Sequence, residues 1–222
     1  MSEHLKRAFD VLVAALGLLA LAPVLLFLSL LVKLSSPGPV FYRGVRAGRY
    51  GRPFRIFKFR SMVADGETRG GTTTGKDDPR ITAVGRILRK YKLDELPQLL
   101  NLLLGDMSLV GPRPEVLEYA NQYSAEQRRI LNVRPGITDL ACLEFSDLQE
   151  CLGADDPDRA YRERILPRKN QLRLKYVDER DFWMDLTILA KTTWLVLRKL
   201  LRGHNGRPPV DRTGVHAERR AA

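Results

Sequence analysis

The longest uninterrupted apolar run lies near the start of the chain, where residues 11–32 carry no charged side chain. As a helix, about 22 residues rising ~1.5 Å each would match the ~30 Å hydrocarbon core of a bilayer, so membrane attachment is expected. Pro23 stands in the middle of the run and removes a helical hydrogen bond there. Both flanks are basic, with Lys6 and Arg7 before the run and Lys33, Arg43, Arg46 and Arg49 after it. A single crossing would leave one cationic flank outside. The pattern therefore favours a re-entrant helix-break-helix over residues 1–36, with a kinked spanning helix as the alternative. Ala20-Leu21-Ala22 imitates a signal-peptide cleavage site, but Pro23 and the continuing apolar run argue against cleavage. Ser35-Ser36-Pro37-Gly38-Pro39 then releases the chain into a soluble region.

The pattern changes from there. Val40-Phe41-Tyr42 and the run from Phe54 to Arg60 read as strands joined by a Gly-rich basic turn. Strand period puts Lys58 and Arg60 on one face and Arg55 on the other, which makes Lys58 and Arg60 candidates for an anion site. A solvated edge or contacts with lipid headgroups would explain them equally. The loop 65–78, with Gly70-Gly71-Thr72-Thr73-Thr74-Gly75, lacks a lysine at Walker spacing and is not a P-loop. Thr82 can cap a helix through Lys90, with Ile81, Val84 and Leu88 on its apolar side and Arg89 near its end.

Asp94, Pro97 and Gly105 predict one short helix, capped by Asp94, with proline in its first turn and a left-handed stop after Leu104. Leu96, Leu99, Leu100, Leu103 and Leu104 follow helical spacing, so this face is expected on a core or a bilayer surface. The adjacent carboxylates Asp94 and Glu95 sit at the entrance, where free N–H groups attract phosphate. One can act as a nucleophile and the other as a metal ligand or base; the alternative is an acidic cap on an ordinary helix. Arg113 is held between Pro112 and Pro114, a restraint that suits bidentate phosphate recognition. A helix from Glu115 through Leu131, a turn at 134–137 and an acidic loop at 155–158 follow. The helical pattern from Phe182 to Leu201, with Trp183 and Trp194, fits an interfacial or a core helix, and residues 203–222 read as a disordered tail.

A net charge of +11 and a pI near 9.9 call for an anionic partner: phosphates, nucleic acid or acidic lipid. Cys142 and Cys151 form no CxxC pair, and His4, His204 and His216 lie near the termini. Disulfide scaffolds, zinc sites and histidine triads therefore have no support, and catalysis would fall to carboxylates and cations. The 222 residues fit one catalytic domain with an accessory segment. A nucleic-acid-binding module is the rival reading, but no recognised motif accompanies the charge. A non-enzymatic membrane adaptor is the third.

Taken together, Lys6-Arg7-Ala8-Phe9-Asp10, Pro23, Gly38-Pro39-Val40-Phe41-Tyr42, Lys58-Phe59-Arg60-Ser61-Met62, Leu93-Asp94-Glu95-Leu96-Pro97-Gln98, the run from Gly105 to Pro114 and Arg134-Pro135-Gly136-Ile137-Thr138 resemble the bacterial sugar transferase family, the small monotopic phosphoglycosyl transferases. The resemblance implies an α/β fold, mostly α with a few short strands. It also implies a re-entrant N-terminal helix, interfacial helices and a catalytic domain over 37–202 on the cytosolic face of the bacterial inner membrane.

By the same resemblance, Asp94 is the nucleophile, Glu95 completes the dyad, and Lys58, Arg60, Arg89 and Arg113 bind phosphate. Magnesium would be held by Asp94 or Glu95. The expected substrates are a nucleotide sugar, with uridine as the family-level base, and a polyprenol phosphate in an anionic bilayer. The sugar 1-phosphate would pass through an aspartyl intermediate, beginning exopolysaccharide, O-antigen or glycoprotein glycan assembly. Nucleic acid is not an expected partner, and a homodimer is left open. The chain departs from the family pattern at Ala22, where several relatives have Ser, over residues 139–145, and at Arg173, where many carry Asp.

Overall fold

The apolar run forms a single helix, α1 (Glu3–Ser35), in a computed structural model that describes residues 3–63, 66, 74, 78–146, 148 and 157–201. Helical structure continues through Pro23, so the break expected there is not a loop or a turn. One proline forfeits one ladder bond, and long helical runs on both sides hold the chain in register. At about 1.5 Å per residue, α1 is ~50 Å long, more than a hydrocarbon core requires.

Both ends of α1 are fastened to the same small body. Near its start, Lys6 pairs with Asp185, and buried Asp10 accepts from Leu109 N at 3.1 Å. Ala14 packs with Ile56, Leu102 and Met107. Near its end, Leu28 and Val32 pack with Phe59 and Leu88. Leu19, Leu26 and Phe27, between these contacts, are exposed.

Arg60 is the first correction. Its Nη2 donates to Val32 O (3.2 Å) and Ser36 O (2.7 Å), and its Nη1 to Pro37 O (2.9 Å). The side chain is buried as a cap on the C-terminal carbonyls of α1, where a cation also meets the negative end of the helix dipole. Its guanidinium is used in holding the end of α1 and does not join Lys58.

Among the described residues the strands are short and form three pairs. Strand β1 (Phe41–Tyr42) and β4 (Lys58–Phe59) are antiparallel, with Phe41 opposite Phe59. The segment read as a basic turn contains its own antiparallel hairpin, β2 (Val45–Ala47) with β3 (Pro53–Arg55). Helix α2 (Ala83–Lys90) begins at Thr82, whose hydroxyl accepts from Gly85 N at 2.9 Å, as the sequence predicts. Helix α3 (Gln98–Leu104) ends at Gly105, with φ 92°. Strand β5 (Ser108–Val110) pairs in parallel with β6 (Gly136–Thr138), so the expected 134–137 turn becomes a strand from Gly136 onward. An added Cβ on Gly136 would lie 2.1 Å from Gly111 N, so this backbone crossing admits only glycine.

The helix expected through Leu131 is interrupted. Helix α4 covers only Leu117–Ala120, and a 3-10 helix spans Gln127–Asn132. Ser124 N donates to Gln127 Oε1 (3.1 Å) while Gln127 N donates to Ser124 Oγ (3.2 Å), a reciprocal capping box that starts a new turn. Helix α5 (Leu140–Glu144) is capped by Asp139, and α6 (Pro157–Ala160) passes through a π-helical turn into α7 (Leu166–Glu179).

The last helix, α8 (Phe182–Leu201), has the expected bounds, with one face in the core and another exposed. Ile188 packs with Val110 and Tyr176, whereas Trp183 and Trp194 are exposed. The expected tail at 203–222 and most of the Gly-Thr loop lie outside the described residues.

Candidate active site

The dyad lies in a separate turn between α2 and α3. Lys92 adopts left-handed geometry (φ 59°, ψ 20°), a 3-10 turn covers Leu93–Glu95, and Pro97 occupies the N-cap of α3 without a side-chain cap. Asp94 therefore does not cap one continuous helix. Pro97 has no N–H to donate to Leu93, so an α-helical ladder starting there is interrupted and restarts at Gln98. The leucine face divides: Leu96 and Leu99 pack on the core against α1, as one of the two expectations has it, and a polar pair shares the buried side. Gln98, Asn101 and Leu102 are buried, while Leu103 and Leu104 are exposed.

This turn gives the two carboxylates different surroundings. Glu95 Oε1 accepts from Lys58 Nζ at 3.0 Å and from Arg113 Nη2. Burial opposes its charge, but Arg113 and Lys58 outweigh burial and hold the carboxyl well below the usual range. Asp94 is buried, and its Oδ1 has no hydrogen-bond partner among the described residues. Burial, reinforced by the Glu95 charge, raises its pKa. Two adjacent carboxyls pushed in opposite directions can take different roles, one a fixed anion and the other a group whose charge depends on what binds beside it.

The cations come from three elements. Lys58 lies on β4; burial lowers its pKa, opposed by Glu95. Arg113 lies in the segment after β5. Its backbone N donates to Asp139 Oδ2 at 2.8 Å, and its Nη1 donates to Ile137 O at 2.9 Å. Arg89, in the last turn of α2, donates from Nη2 to Thr74 Oγ1 at 3.2 Å, while its buried Nη1 has no partner among the described residues. Burial lowers its pKa, against the opposing field of Asp94.

Thus a partnerless carboxylate oxygen and a partnerless guanidinium nitrogen belong to residues that sense each other's charge. Among the described residues no cluster of three His, Cys, Asp or Glu side chains could hold a metal. Asp94 and Glu95 alone would leave most coordination positions to water and phosphate oxygens. That donor set suits magnesium, which keeps waters and binds through one or two carboxylates.

A model of the family described as "Bacterial sugar transferase" matches residues 1–199. The chain belongs to the bacterial sugar transferase family. It is 41% identical to the exopolysaccharide production protein PSS of Rhizobium leguminosarum bv. phaseoli over 214 residues, covering 91% of this chain and 98% of that protein. An uncharacterized sugar transferase, EpsL of Bacillus subtilis, is 38% identical over 193 residues, or 87% of each chain. The UDP-glucose:undecaprenyl-phosphate glucose-1-phosphate transferase of Escherichia coli K12 is 39% identical over 201 residues. That match covers 87% of this chain but only 40% of the Escherichia coli protein.

In this sugar transferase, Asp94, Glu95, Lys58, Arg89 and Arg113 come together, and Arg60 does not. Sequence reasoning missed Asp139, which fastens Arg113, and the buried pair Arg173–Glu115 behind it (3.1 Å). Gln98 stands in the motif as a residue without a role, and the structure buries it at the start of α3.

Proposed function

We propose that the chain transfers a sugar 1-phosphate from a UDP-sugar to undecaprenyl phosphate on the cytosolic face of the inner membrane. The observation that carries this reading is a buried Asp94 oxygen and a buried Arg89 nitrogen, both without a partner among the described residues and on side chains whose charges interact, with Glu95 already paired to Lys58 and Arg113. The names of the relatives support the substrate classes and a role in exopolysaccharide synthesis.

An Asp94 oxygen attacks the sugar-bearing phosphorus of the donor. A new O–P bond forms, the bond to the bridging oxygen breaks, and UMP leaves with that electron pair. Arg89 and Arg113 offset the phosphate charge, and Lys58 holds Glu95 in place. Magnesium, bound by Asp94 or Glu95, would supply charge neutralisation of the diphosphate. An oxygen of undecaprenyl phosphate then attacks the aspartyl phosphorus, Asp94 is released as carboxylate, and the lipid carries the diphosphate-linked sugar.

The test omits the lipid. Purified protein, magnesium and a panel of UDP-sugars should release UMP and give a phosphosugar adduct in the intact mass, absent in Asp94→Asn and discharged by undecaprenyl phosphate. Multiple turnover without any adduct, in kinetics requiring both substrates bound together, would replace the covalent route with direct transfer.

A further inference from the structure

Two carboxamides are buried on the inward face of α3, and they differ in one respect. Asn101 is fully engaged: its Oδ1 accepts from Phe57 N (2.8 Å), and its Nδ2 donates to Arg55 O (3.0 Å) and Asp106 Oδ2 (3.1 Å). Those bonds tie the helix to the segment leading into β4. Gln98, one turn earlier and with no solvent exposure, has no hydrogen-bond partner for either Oε1 or Nε2 among the described residues.

A buried donor and a buried acceptor, both unmade, oppose folding and contribute nothing to it. Asn101 already performs the fastening that would justify a polar group on this face. The orphaned amide is also well placed. Leu96 and Pro97 both have right-handed helical backbone, so the helical sense continues from the dyad turn into α3. The bonds from Leu96 N to Leu93 O and from Leu99 N to Leu96 O keep three-residue spacing across the junction, so Gln98 follows Glu95 of the dyad on one face, and Asp94 and Gln98 are both buried. Three partnerless groups therefore belong to this turn and to the neighbouring end of α2: Asp94 Oδ1, Arg89 Nη1 and the Gln98 amide.

We propose that Gln98 contacts the half of the donor that is transferred. Its Nε2 donates to an oxygen of the attacked phosphate, and its Oε1 accepts from a hydroxyl or amide N–H on the adjoining sugar. This assignment rests on the transferase reading above and extends it to a residue outside the charged set. A sugar 1-phosphate presents an acceptor and a donor on neighbouring groups, which is what a carboxamide with both atoms free can take. Substrate binding would then satisfy atoms that the fold leaves unmade.

The experiment compares wild type with Gln98→Met, which keeps length and removes both polar atoms, and with Gln98→Glu, which replaces the donor by a charge. UDP with magnesium is the binding probe, its terminal phosphate standing for the transferred one. Gln98→Met should melt no lower than wild type, bind UDP about fivefold or more weakly, and release UMP from UDP-sugar at least about tenfold more slowly at saturation. Gln98→Glu should bind UDP more weakly still. Wild-type UDP affinity in Gln98→Met would overturn the proposal and leave the amide with an ordered water only. A lower melting temperature with activity lost in proportion to the folded fraction would overturn it too, as a structural role. If wild type binds UDP but releases no UMP from any UDP-sugar, the transferase reading fails, and the affinity comparison still decides whether Gln98 touches phosphate.

Discussion

Asp94 and Glu95 are neighbours in one turn, yet burial wins at Asp94 and loses at Glu95, because only Glu95 is ion-paired. The consequence for stability has a definite sign. A carboxyl whose pKa is raised by folding stabilises the fold when protonated, and that contribution is lost as pH rises through the raised value. Asp94 therefore weakens the ligand-free protein at neutral pH, whereas Glu95 strengthens it until pH falls through its lowered value. Asp94→Asn keeps the shape, removes the ionisation and is expected to melt higher than wild type at neutral pH. The gap should narrow as pH is lowered, while UMP release falls by about a thousandfold or more. Melting curves across pH check the first part, and a variant melting lower at every pH would contradict the assignment. The acid limb of the wild-type rate should also sit above the usual carboxylate range, because Asp94 must be ionised to attack in the proposed reaction.

At the scale of elements, the C-terminal end of α1 depends on the residue that follows a strand. Arg60 reaches back from the end of β4 and satisfies carbonyls of Val32, Ser36 and Pro37. Removing it leaves these acceptors beside apolar packing, a cost of ~1–3 kcal/mol. Arg60→Ala should lower the melting temperature and leave turnover per folded molecule within about twofold of wild type, since sites without shared partners couple weakly. A stable variant with greatly reduced turnover would return Arg60 to the phosphate site. The parallel pair β5–β6 serves the other side of the site. It sets Gly111 against Gly136 and carries Arg113 to Asp139 and Ile137, and so toward Glu95.

For the whole molecule, the informative fact is where α1 is fastened. Lys6, Asp10 and Ala14 bind one part of the body, and Leu28 and Val32 another. A helix crossing the bilayer would put one of these sets on the far side and lose its contacts. Exposed Leu19, Leu26, Phe27, Leu104, Trp183 and Trp194 are the apolar and aromatic surface that the proposed seating in one leaflet would cover. In a background with Cys142 and Cys151 replaced by serine, His4→Cys and Pro39→Cys, introduced singly, should both be shielded from an impermeant reagent in intact cells and both react after permeabilisation. Labelling of only one in intact cells would establish a crossing.

The apolar run, the caps at Thr82 and Gly105, the bounds of the Phe182–Leu201 helix and the family motif were all legible in the linear pattern. The run, the caps and the helix depend on residues close in sequence, so local propensity and periodicity determine them, whereas the motif is a resemblance carried by residue types. The chemistry of the dyad was legible as residue types. What the sequence could not assign was the partner of each charge. Lys58 and Arg60 are two residues apart with the same strand-face prediction, yet one pairs with Glu95 and the other caps α1. Gln98 and Asn101 share a buried helix face, yet among the described residues only Asn101 finds hydrogen-bond partners. These assignments rest on contacts between residues 24 to 44 positions apart, where a charge's energy is set by burial and by what else the fold brings within reach. The local sequence therefore determined which groups were available, and the tertiary structure decided which are consumed in holding the fold and which remain free to meet a substrate.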